Sequence, residues 1–356
     1  MMTLESFWQR HARYLLPLGT VYDMAMRIRS TSYACGVLSS RRSPLPVVSV
    51  GNLTLGGSGK TPLTMWLAEK LVEKGFRPGI VSRGYARKTH PHEVVIVSDG
   101  HTLRAQPHEA GDEPYMMAYY LPHIPIAVCK DRLRAIETLA QATHIDCVIL
   151  DDGFQHLRLS RDFDLVIVDS RVMREHVFPA GYLRESPKAL ARASAFAVVL
   201  DEDQDGDTFL SWIRSRWPKI PSFPMHFSPA YLEDLGTHSR MPLSSLQGKR
   251  VFAFAGIANP ERFFRSLTEL GSSVVPCPLP DHYHYDDAAV SALVSQARRF
   301  HCDALVTTAK DAVKLLPYAP TKELPLWVLH QTVEIDCSDD LLDAICHALR
   351  TRPTES

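Results

Sequence analysis

The sequence predicts an α/β protein built on a mostly parallel sheet with helices on both faces. Short runs of apolar, often β-branched residues alternate with amphipathic stretches from residue 46 onward, and this alternation is typical of parallel sheets with helical crossovers. The first such run ends in a glycine-rich turn followed by Lys60 and Thr61, and a second alternating series begins at Arg250. We therefore expect a main α/β unit, a smaller second α/β unit and a separate N-terminal helix.

The N-terminal stretch, residues 3–18, shows apolar residues at helical spacing. The predicted apolar face contains Leu4, Phe7, Trp8, His11, Leu15 and Leu18. Arginines follow at positions 27, 29, 41 and 42. An apolar face with flanking arginines is typical of a helix that lies on an anionic membrane surface, and a helix packed on its own domain would show the same pattern.

Strand and helix signals then alternate through the main unit. We predict strands at 46–50, 79–83, 94–98, 124–129, 147–152, 163–168 and 195–200, with helices at 61–74, 114–120 and 131–142. In such a sheet the functional residues are expected at the carboxyl ends of the strands.

A change of character between residues 201 and 248 predicts a domain boundary. Acidic residues cluster at 201–207 and predict a solvated turn, and several prolines follow. The second series has predicted strands at 250–255, 273–277, 304–308 and 326–330 and a helix near 340–349. We predict an N-terminal segment of residues 1–35, a main domain of residues 36–225 and a smaller C-terminal domain of residues 226–356.

The composition narrows the class of protein. The 356 residues are 45% hydrophobic and 22% charged, with a net charge of −1, so no global positive field favours nucleic acid. Seven scattered cysteines without a C-x-x-C pair indicate neither a disulfide framework nor a zinc site, as expected in a reducing cytosol. No apolar run approaches the ~20 residues of a membrane span, and no cleavable signal peptide is expected.

The stretch VVSVGNLTLGGSGKTP, residues 47–62, has the strand, turn and helix context of a phosphate-binding P-loop. Glycines let backbone N–H groups converge on an anion at a helix N-terminus, Lys60 is placed to reach the β- and γ-phosphates, and the Thr61 hydroxyl to bind Mg²⁺. Thr54 stands where the usual pattern has its first glycine. The turn predicts a P-loop NTPase-like fold, against the alternative of a glycine-rich turn with an incidental lysine.

Two carboxylates end the predicted strand in CVILDDGFQH, residues 147–156. Asp151 and Asp152 are placed as in a Walker B element, where a carboxylate at a strand end holds Mg²⁺. The alternative is an Asp-Asp-Gly turn.

Further candidates come from GDEP, SRGY and PDHYHYDD. Asp112 is suited either to capping a helix or to accepting a proton from a substrate hydroxyl. Arg83 ends a predicted strand and is suited to meeting a phosphate. His282 is suited to acid–base work beside a carboxylate, since no further His or Cys at ligand spacing supports a zinc site.

Eight motifs occur in one order along the chain. They are GNLTLGGSGKTP, SRGYARK, GDEP, LDDGFQH, PAGYLRES, AGIANPERFF, PDHYHY and TTAKDAVKL. A single P-loop is unspecific, but this ordered set closely resembles the tetraacyldisaccharide 4′-kinase family of lipid A biosynthesis over roughly residues 5 to 345.

The resemblance implies an activity and a location. It implies transfer of the γ-phosphate of ATP, with Mg²⁺, to the 4′-hydroxyl of a tetraacylated glucosamine disaccharide 1-phosphate, which gives lipid IVA. It also implies two α/β domains with the site between them, and a peripheral protein at the cytoplasmic face of the bacterial inner membrane. The expected partners are the acylated disaccharide lipid and the cytoplasmic leaflet, with no nucleic acid and no obligate protein partner.

The resemblance also distributes the site residues. Asp112 matches the family's catalytic carboxylate, His282 the histidine paired with it, and Asp151 and Asp152 its metal-proximal acids. Lys60 is also expected to be a catalytic residue. The residues expected to bind the nucleotide are Thr54, Leu55, Gly56, Gly57, Ser58, Gly59, Lys60 and Thr61. The metal is expected to be bound by Thr61, Asp151 and Asp152. The candidates for gripping the sugar or its 1-phosphate are Arg83, Tyr85, Arg132 and Arg184.

Two other functions fit a P-loop in a chain of this length. A regulatory NTPase that reads guanine requires an N-K-x-D motif, and none is present because Lys310 and Asp311 are adjacent. A soluble kinase of a small sugar or nucleoside requires no apolar N-terminal face, so this face is the feature that separates it from a lipid kinase.

Overall fold

The computed structural model describes residues 4–85, 87–200, 206–318 and 324–352, with side chains from residue 12 onward. The strands are β1 Val47–Asn52, β2 Pro78–Ser82, β3 Val95–Asp99, β4 Pro125–Val128, β5 Cys147–Asp151, β6 Phe163–Val168, β7 Ala195–Val199, β8 Ser222–Asp234, β9 Ser239–Met241, β10 Arg250–Ala255, β11 Ser273–Pro278, β12 Ala304–Thr308 and β13 Leu326–Ile335.

Helices flank these strands. They are α1 Leu4–Ala34, α2 Lys60–Glu73, α3 Pro107–Ala110, α4 Asp112–Tyr120, α5 Arg132–Ala142, α6 Arg171–Arg174, α7 Gly206–Arg216, α8 Pro260–Glu269, α9 Asp287–Arg299, α10 Ala309–Leu315 and α11 Ser338–Arg350. Most of the predicted acidic turn, residues 201–205, lies outside the described residues.

All the described strands belong to one sheet. Its order is β11-β10-β12-β13-β8-β7-β6-β1-β5-β2-β4-β3, and β9 pairs with β8. Neighbours are parallel except at the β3–β4, β8–β13 and β8–β9 pairs. The predicted fold class, a mostly parallel sheet with helices, is confirmed.

Strand β8 joins the two series of strands. Its first residues pair in parallel with β7 through Met225, and the strand then runs antiparallel to β13 from Met225 to Asp234. The sequence predicts no strand here, because prolines interrupt the apolar pattern. Pro229 lies at the point where the register with β13 shifts, and a proline, which has no N–H to donate, is tolerated at such a bulge.

Residues 47–221 and 222–335 are called the N-terminal half and the C-terminal half below. The predicted boundary at residue 226 falls within β8, and the predicted domain division remains a prediction. Helix α11 lies against the N-terminal half, because Leu341 and Ile345 share one hydrophobic core with strands β1, β5 and β6. The C-terminal half has its own cores on the two faces of β10, β12 and β13.

Helix α1 continues beyond the amphipathic stretch of residues 3–18, spans most of the predicted N-terminal helical segment of residues 1–35 and passes through Pro17. The helix packs closely at Gly19, where a Cβ atom would lie 2.9 Å from the carbonyl oxygen of Val177. Asp23 accepts a hydrogen bond from the amide of Ser186. The side chains of residues 1–11, including most of the predicted apolar face, lie outside the described residues. No described helix is long and apolar enough to span a membrane.

Candidate active site

The glycine-rich turn connects β1 to α2 and is held from within by Asn52. The Asn52 amide nitrogen donates to the carbonyl oxygen of Thr54 and to Oγ of Ser58, each at 2.7 Å. The side-chain oxygen Oδ1 of Asn52 accepts from Nζ of Lys60 at 3.3 Å. Gly59 adopts a left-handed conformation with φ of 82° directly before the helix, which is accessible to glycine at little cost.

Thr54, which replaces the usual first glycine, is bound by a second network. Its hydroxyl lies 3.3 Å from Oδ2 of Asp169 and accepts from Arg171 Nη2 at 3.2 Å. Asp169 and Arg171 also form an ion pair at 2.7 Å. A buried threonine therefore anchors the start of the turn. Asn52, Asp169 and Arg171 were missed in the sequence analysis, because the first lies in a strand and the others are distant in sequence.

The two adjacent acids point in different directions. Asp151 is buried, and its Oδ2 accepts from Oγ of Ser82 at 2.9 Å. Burial, together with the charges of Glu113 and Asp152, raises the pKa of Asp151 to about 6. Asp152 has φ of 54° and faces Lys60 and Arg184, at 3.8 and 2.9 Å. Burial opposes ionisation of Asp152, but these two cations hold its pKa below its usual value.

Asp112 and His282 come together from opposite halves of the chain. Asp112 is the first residue of α4, and His282 lies in the loop between β11 and α9 with φ of 58°. His282 Nδ1 lies 3.0 Å from Oδ2 of Asp112. Since an ionised carboxylate only accepts hydrogen bonds, Nδ1 is the protonated nitrogen and donates.

Cations from α10 surround this pair. Lys314 Nζ lies 3.9 Å from Oδ2 of Asp112, and Lys310 Nζ lies 3.7 Å from Oε1 of the adjacent Glu113. Burial alone would raise the pKa of Asp112, but the hydrogen bond from His282 and the charges of Lys314, His282 and Lys310 lower it below its usual value. Asp112 is therefore held in its ionised form.

Tyr85 lies beside the Asp112–His282 pair and is not among the residues that line the basic cavity beside Asp152. Its ring centroid is 5.9 Å from that of His282, and the side chain is 71% exposed. The backbone at Tyr85 packs against Gly111, which directly precedes α4. Gly111 has φ of 91°, and a Cβ atom there would lie 2.6 Å from the carbonyl oxygen of Tyr85.

A cavity of about 320 Å³ opens beside Asp152 and is strongly basic. The residues lining it are Arg29, Arg41, Arg83, His92, Lys130, Asp131, Arg132, Leu133, Asp152, Gln155, His156, Arg158, Leu159 and Arg184. Three of the four predicted substrate-gripping residues, Arg83, Arg132 and Arg184, thus meet in one cavity. Arg132 is only 4% exposed and donates to the carbonyl oxygens of Cys129 and Lys130.

The cavity also contains residues that the sequence analysis did not assign to the site. Arg29 of α1 donates to the carbonyl oxygen of Gln155 at 3.2 Å, and Arg41 lines the same cavity. The sequence analysis had interpreted both arginines as flanking a membrane-surface helix. His156 also lines the cavity, and burial with the charges of Arg132 and Arg161 lowers its pKa to about 4, so its imidazole is neutral.

The C-terminal half contacts the glycine-rich turn directly. The ring of Phe227 occupies the space that a side chain at Gly59 would fill, and the guanidinium of Arg262 lies 5.0 Å from the centroid of that ring. Ala258 lies near Gly57, 3.7 Å from the position of a Cβ atom there. The motif AGIANPERFF therefore faces the turn, which its sequence alone did not indicate.

The glycine-rich turn and the two acids after it in the site, Asp151 and Asp152, fit a nucleotide with Mg²⁺. At Gly56, with φ of 87°, no atom lies within 4 Å of a Cβ position, so the backbone there is open to a ligand. Among the described residues, no cluster of three or more His, Cys, Asp or Glu residues suits a metal ion by itself. Mg²⁺ bound with nucleotide phosphates needs only one or two carboxylates, which Asp151 and Asp152 can provide at the carboxyl end of β5.

The described geometry defines the class of protein. Ser82 donates to Asp151, and three residues later the carbonyl oxygen of Tyr85 lies 2.6 Å from a Cβ position at Gly111, directly before Asp112. The segment after β2 thus connects the end of β5 to the Asp112–His282 pair. A P-loop together with a carboxylate–histidine pair is suited to phosphoryl transfer to a hydroxyl acceptor, and the protein has the features of a P-loop phosphotransferase.

Comparisons with known proteins identify the family. A sequence model of the family described as tetraacyldisaccharide-1-P 4′-kinase matches residues 11–350, and the chain belongs to this family of kinases. Tetraacyldisaccharide 4′-kinase of Desulfotalea psychrophila is 37% identical over 342 residues, covering 93% of this chain and 95% of that protein. The enzyme of Aromatoleum aromaticum is 35% identical over 356 residues, covering 98% of each chain.

A solved structure agrees in fold. The crystal structure of LpxK from Aquifex aeolicus in complex with ATP has a TM-score of 0.79 and 31% sequence identity, and the match covers 95% of this chain and 99% of that chain. The predicted family and enzyme class are thereby confirmed.

Proposed function

We propose that the protein transfers the γ-phosphate of ATP to the 4′-hydroxyl of a tetraacyldisaccharide 1-phosphate and so forms lipid IVA in lipid A biosynthesis. Family membership supports the reaction class and the acceptor. The observation that carries the assignment of the site is the 3.0 Å contact between Asp112 and His282 beside the P-loop.

The residues from Thr54 to Thr61 hold the phosphates of ATP. Their backbone N–H groups and the positive end of α2 favour an anion, and Lys60 adds a charge that Asn52 and Asp152 orient. Thr61 and Asp152, helped by Asp151, would hold Mg²⁺, which would neutralise charge on the phosphate oxygens.

Asp112 receives the proton of the acceptor hydroxyl. As that O–H bond breaks, the hydroxyl oxygen bonds to the γ-phosphorus, the bond from phosphorus to the β,γ-bridging oxygen breaks, and ADP leaves. His282 donates to Asp112 and fixes the direction of its free lone pairs. Because the pair is drawn from the two halves of the chain, the acceptor is enclosed between them and water is excluded.

The basic cavity holds the far end of the disaccharide. Its 1-phosphate meets Arg83, Arg132 and Arg184, since arginine guanidinium groups bind phosphate through paired N–H donors. The neutral imidazole of His156 is suited to a hydroxyl or amide of the sugar. Tyr85 lies at the other end, beside the reacting hydroxyl.

Helix α1 places the protein on the cytoplasmic face of the inner membrane as a peripheral protein. Its exposed residues include Tyr14, Leu18, Val21, Met24 and Ile28, which recur at intervals of three or four and form one outward stripe. The acyl chains of the acceptor remain in the leaflet while its sugar enters the cavity, which Arg29 of the same helix lines.

The test is transfer of labelled γ-phosphate from Mg-ATP to tetraacyldisaccharide 1-phosphate in mixed micelles. Lys60→Ala is expected to abolish labelling of the lipid, whereas Lys70→Ala, which removes a surface lysine paired with Glu73 on the same helix, is expected to retain it. Asp112→Asn is expected to lose at least about a hundredfold in turnover while binding ATP normally.

Other outcomes would contradict the proposal. Labelled phosphate released to water without labelled lipid would indicate a switch-type NTPase. Equal turnover of a deacylated disaccharide would indicate a kinase of soluble sugars. Near-normal turnover by Asp112→Asn would assign the base to another residue.

A further inference from the structure

Helix α10 contains two lysines one turn apart, Lys310 and Lys314, that reach across to the start of α4. The two lysines face different carboxylates. Lys310 Nζ is bound to Asp281 at 3.1 Å and lies 3.7 Å from Glu113. Lys314 Nζ faces Oδ2 of Asp112 itself, at 3.9 Å.

Lys314 is fixed by contacts that leave its ammonium little freedom. Nζ lies 2.9 Å from Oδ1 of Asp311 and donates to the carbonyl oxygen of Tyr283 at 3.1 Å. It also lies 5.2 Å from the ring centroid of Tyr285, and its side chain is 11% exposed. An exposed lysine loses conformational entropy when it forms an ion pair. Lys314 is already ordered by these contacts, so it loses little further entropy in facing Asp112.

Asp311, the anchor of Lys314, is itself completely buried. Its Oδ2 accepts from the amide of Gly256 at 2.8 Å and from the hydroxyl of Thr308 at 3.0 Å. A Cβ atom at Gly256 would lie 3.0 Å from Oδ1 of Asp311, so a side chain at residue 256 would crowd this carboxylate. The ends of β10 and β12 therefore hold Asp311 and, through it, Lys314.

The same lysine connects both members of the Asp112–His282 pair. Its contact with the carbonyl oxygen of Tyr283 holds the residue after His282, and its charge faces the carboxylate that His282 contacts. From these contacts we infer that Lys314 is a positioning residue of the phosphoryl-transfer site, which holds Asp112 ionised and docks the His282 loop against it. This inference rests on the role of general base proposed above for Asp112.

Several charged or titratable groups surround Asp112, so the effect of Lys314 must be separated from theirs. They are Glu113 on α4, Lys310, Asp311 and Lys314 on α10, Asp281 and His282 in the loop before α9, and Tyr85. Lys310→Met is the matched comparison, because it removes the same charge one turn away without a direct contact to Asp112.

The experiment is the pH dependence of kcat/KM for the acceptor in the full-length variants. An opposite charge within about 4 Å lowers a carboxyl pKa by a unit or more. The pH of half-maximal activity on the acid side is therefore expected to rise by about one unit in Lys314→Met and by less in Lys310→Met. The KM for ATP is expected to stay unchanged in Lys314→Met, and Lys314→Arg is expected to restore the original profile.

Equal shifts in the two methionine variants, or no shift in either, would overturn the inference. If Lys314→Met does not fold, Lys314→Gln removes the charge and retains N–H donors for Asp311 and Tyr283. If both neutral variants fail to fold while Lys314→Arg folds, Lys314 has a structural role and the inference is wrong. If Asp112 is not the general base, Asp112→Asn would remain active. This result distinguishes a failure of the proposed function from a failure of the inference about Lys314.

Discussion

Two glycines of the P-loop with the same backbone conformation have very different surroundings. Gly56 and Gly59 have φ values of 87° and 82°. No atom lies within 4 Å of a Cβ position at Gly56, whereas the Phe227 ring occupies that position at Gly59. The first glycine is required only by its conformation. The second is required also because a strand of the C-terminal half packs on the loop.

This difference predicts a matched pair of substitutions. Gly56→Ala is expected to cost about 1–2 kcal/mol of unfolding free energy, the strain of a left-handed alanine. Gly59→Ala is expected to cost clearly more, because the added methyl group displaces Phe227. Denaturant unfolding measures both values.

The double variant Gly59→Ala/Phe227→Ala checks the cause. Removing the ring is expected to recover part of the cost of the alanine, which a double-mutant cycle reports as a coupling energy. Additive costs would mean that the ring is not what excludes a side chain at residue 59.

At the scale of elements, α1 has two faces with different tasks. Its inner face packs at Gly19, accepts from Ser186 through Asp23 and places Arg29 at the basic cavity. Its outer stripe exposes large apolar side chains; Val21 and Ile28, for example, are 67% and 60% exposed. The inner face fixes the helix on the protein, so the stripe is presented in a fixed direction relative to the cavity.

Neighbouring exposed residues of α1 provide a test of membrane binding. Val21→Glu is expected to weaken flotation with phosphatidylethanolamine–phosphatidylglycerol vesicles at least about tenfold, since burying a valine is worth about 1.5 kcal/mol or more. Thr20→Glu adds the same charge one residue away, outside the stripe, and is expected to float almost normally. Equal flotation of the two variants would argue against the stripe as the membrane contact.

Strand β8 joins the two halves of the molecule in the middle of the sheet. It is hydrogen-bonded to β7 on one side and β13 on the other, and it carries Phe227 to the P-loop. The site residues contributed by the C-terminal half, Phe227, Arg262, His282 and Lys314, are therefore delivered by a continuous sheet with the loops and helices that follow its strands.

At the scale of the whole molecule, the last helix closes the N-terminal half. Leu341 of α11 is completely buried in the core that also contains Val48, Val50 and Leu165. Removing a buried leucine side chain leaves a cavity whose cost depends on how far the core relaxes. The helix therefore stabilises strands almost 300 residues earlier in the chain.

Leu341→Ala is expected to lower the unfolding free energy by about 2–4 kcal/mol. Hydrogen exchange is expected to become faster in β1 and β6, where the core is shared. His347→Ala, on the exposed face of α11, is the control and is expected to change neither. Faster exchange confined to β10 and β12 would mean that α11 belongs energetically to the C-terminal half.

Local signals along the chain are enough to predict the fold class, the individual strands of the parallel series and the family. Apolar periodicity and glycine position are local signals, and they located β1, β5 and the P-loop within a residue or two of their observed bounds. The ordered motifs also brought Asp112, His282, Asp151 and Asp152 into one hypothesis, although their roles remain predictions.

The contacts between residues distant in sequence become visible in the three-dimensional structure. The pairing of Lys314 with Asp112, the ring of Phe227 at Gly59, the network from Asp169 to Thr54 and the place of Arg29 in the basic cavity join residues far apart in sequence. Strand β8 was not predicted because it contains Pro224 and Pro229, and only the pairing with β13 shows that Pro229 lies at a bulge. Such contacts depend on sheet order and helix packing, and a local pattern carries no information about either.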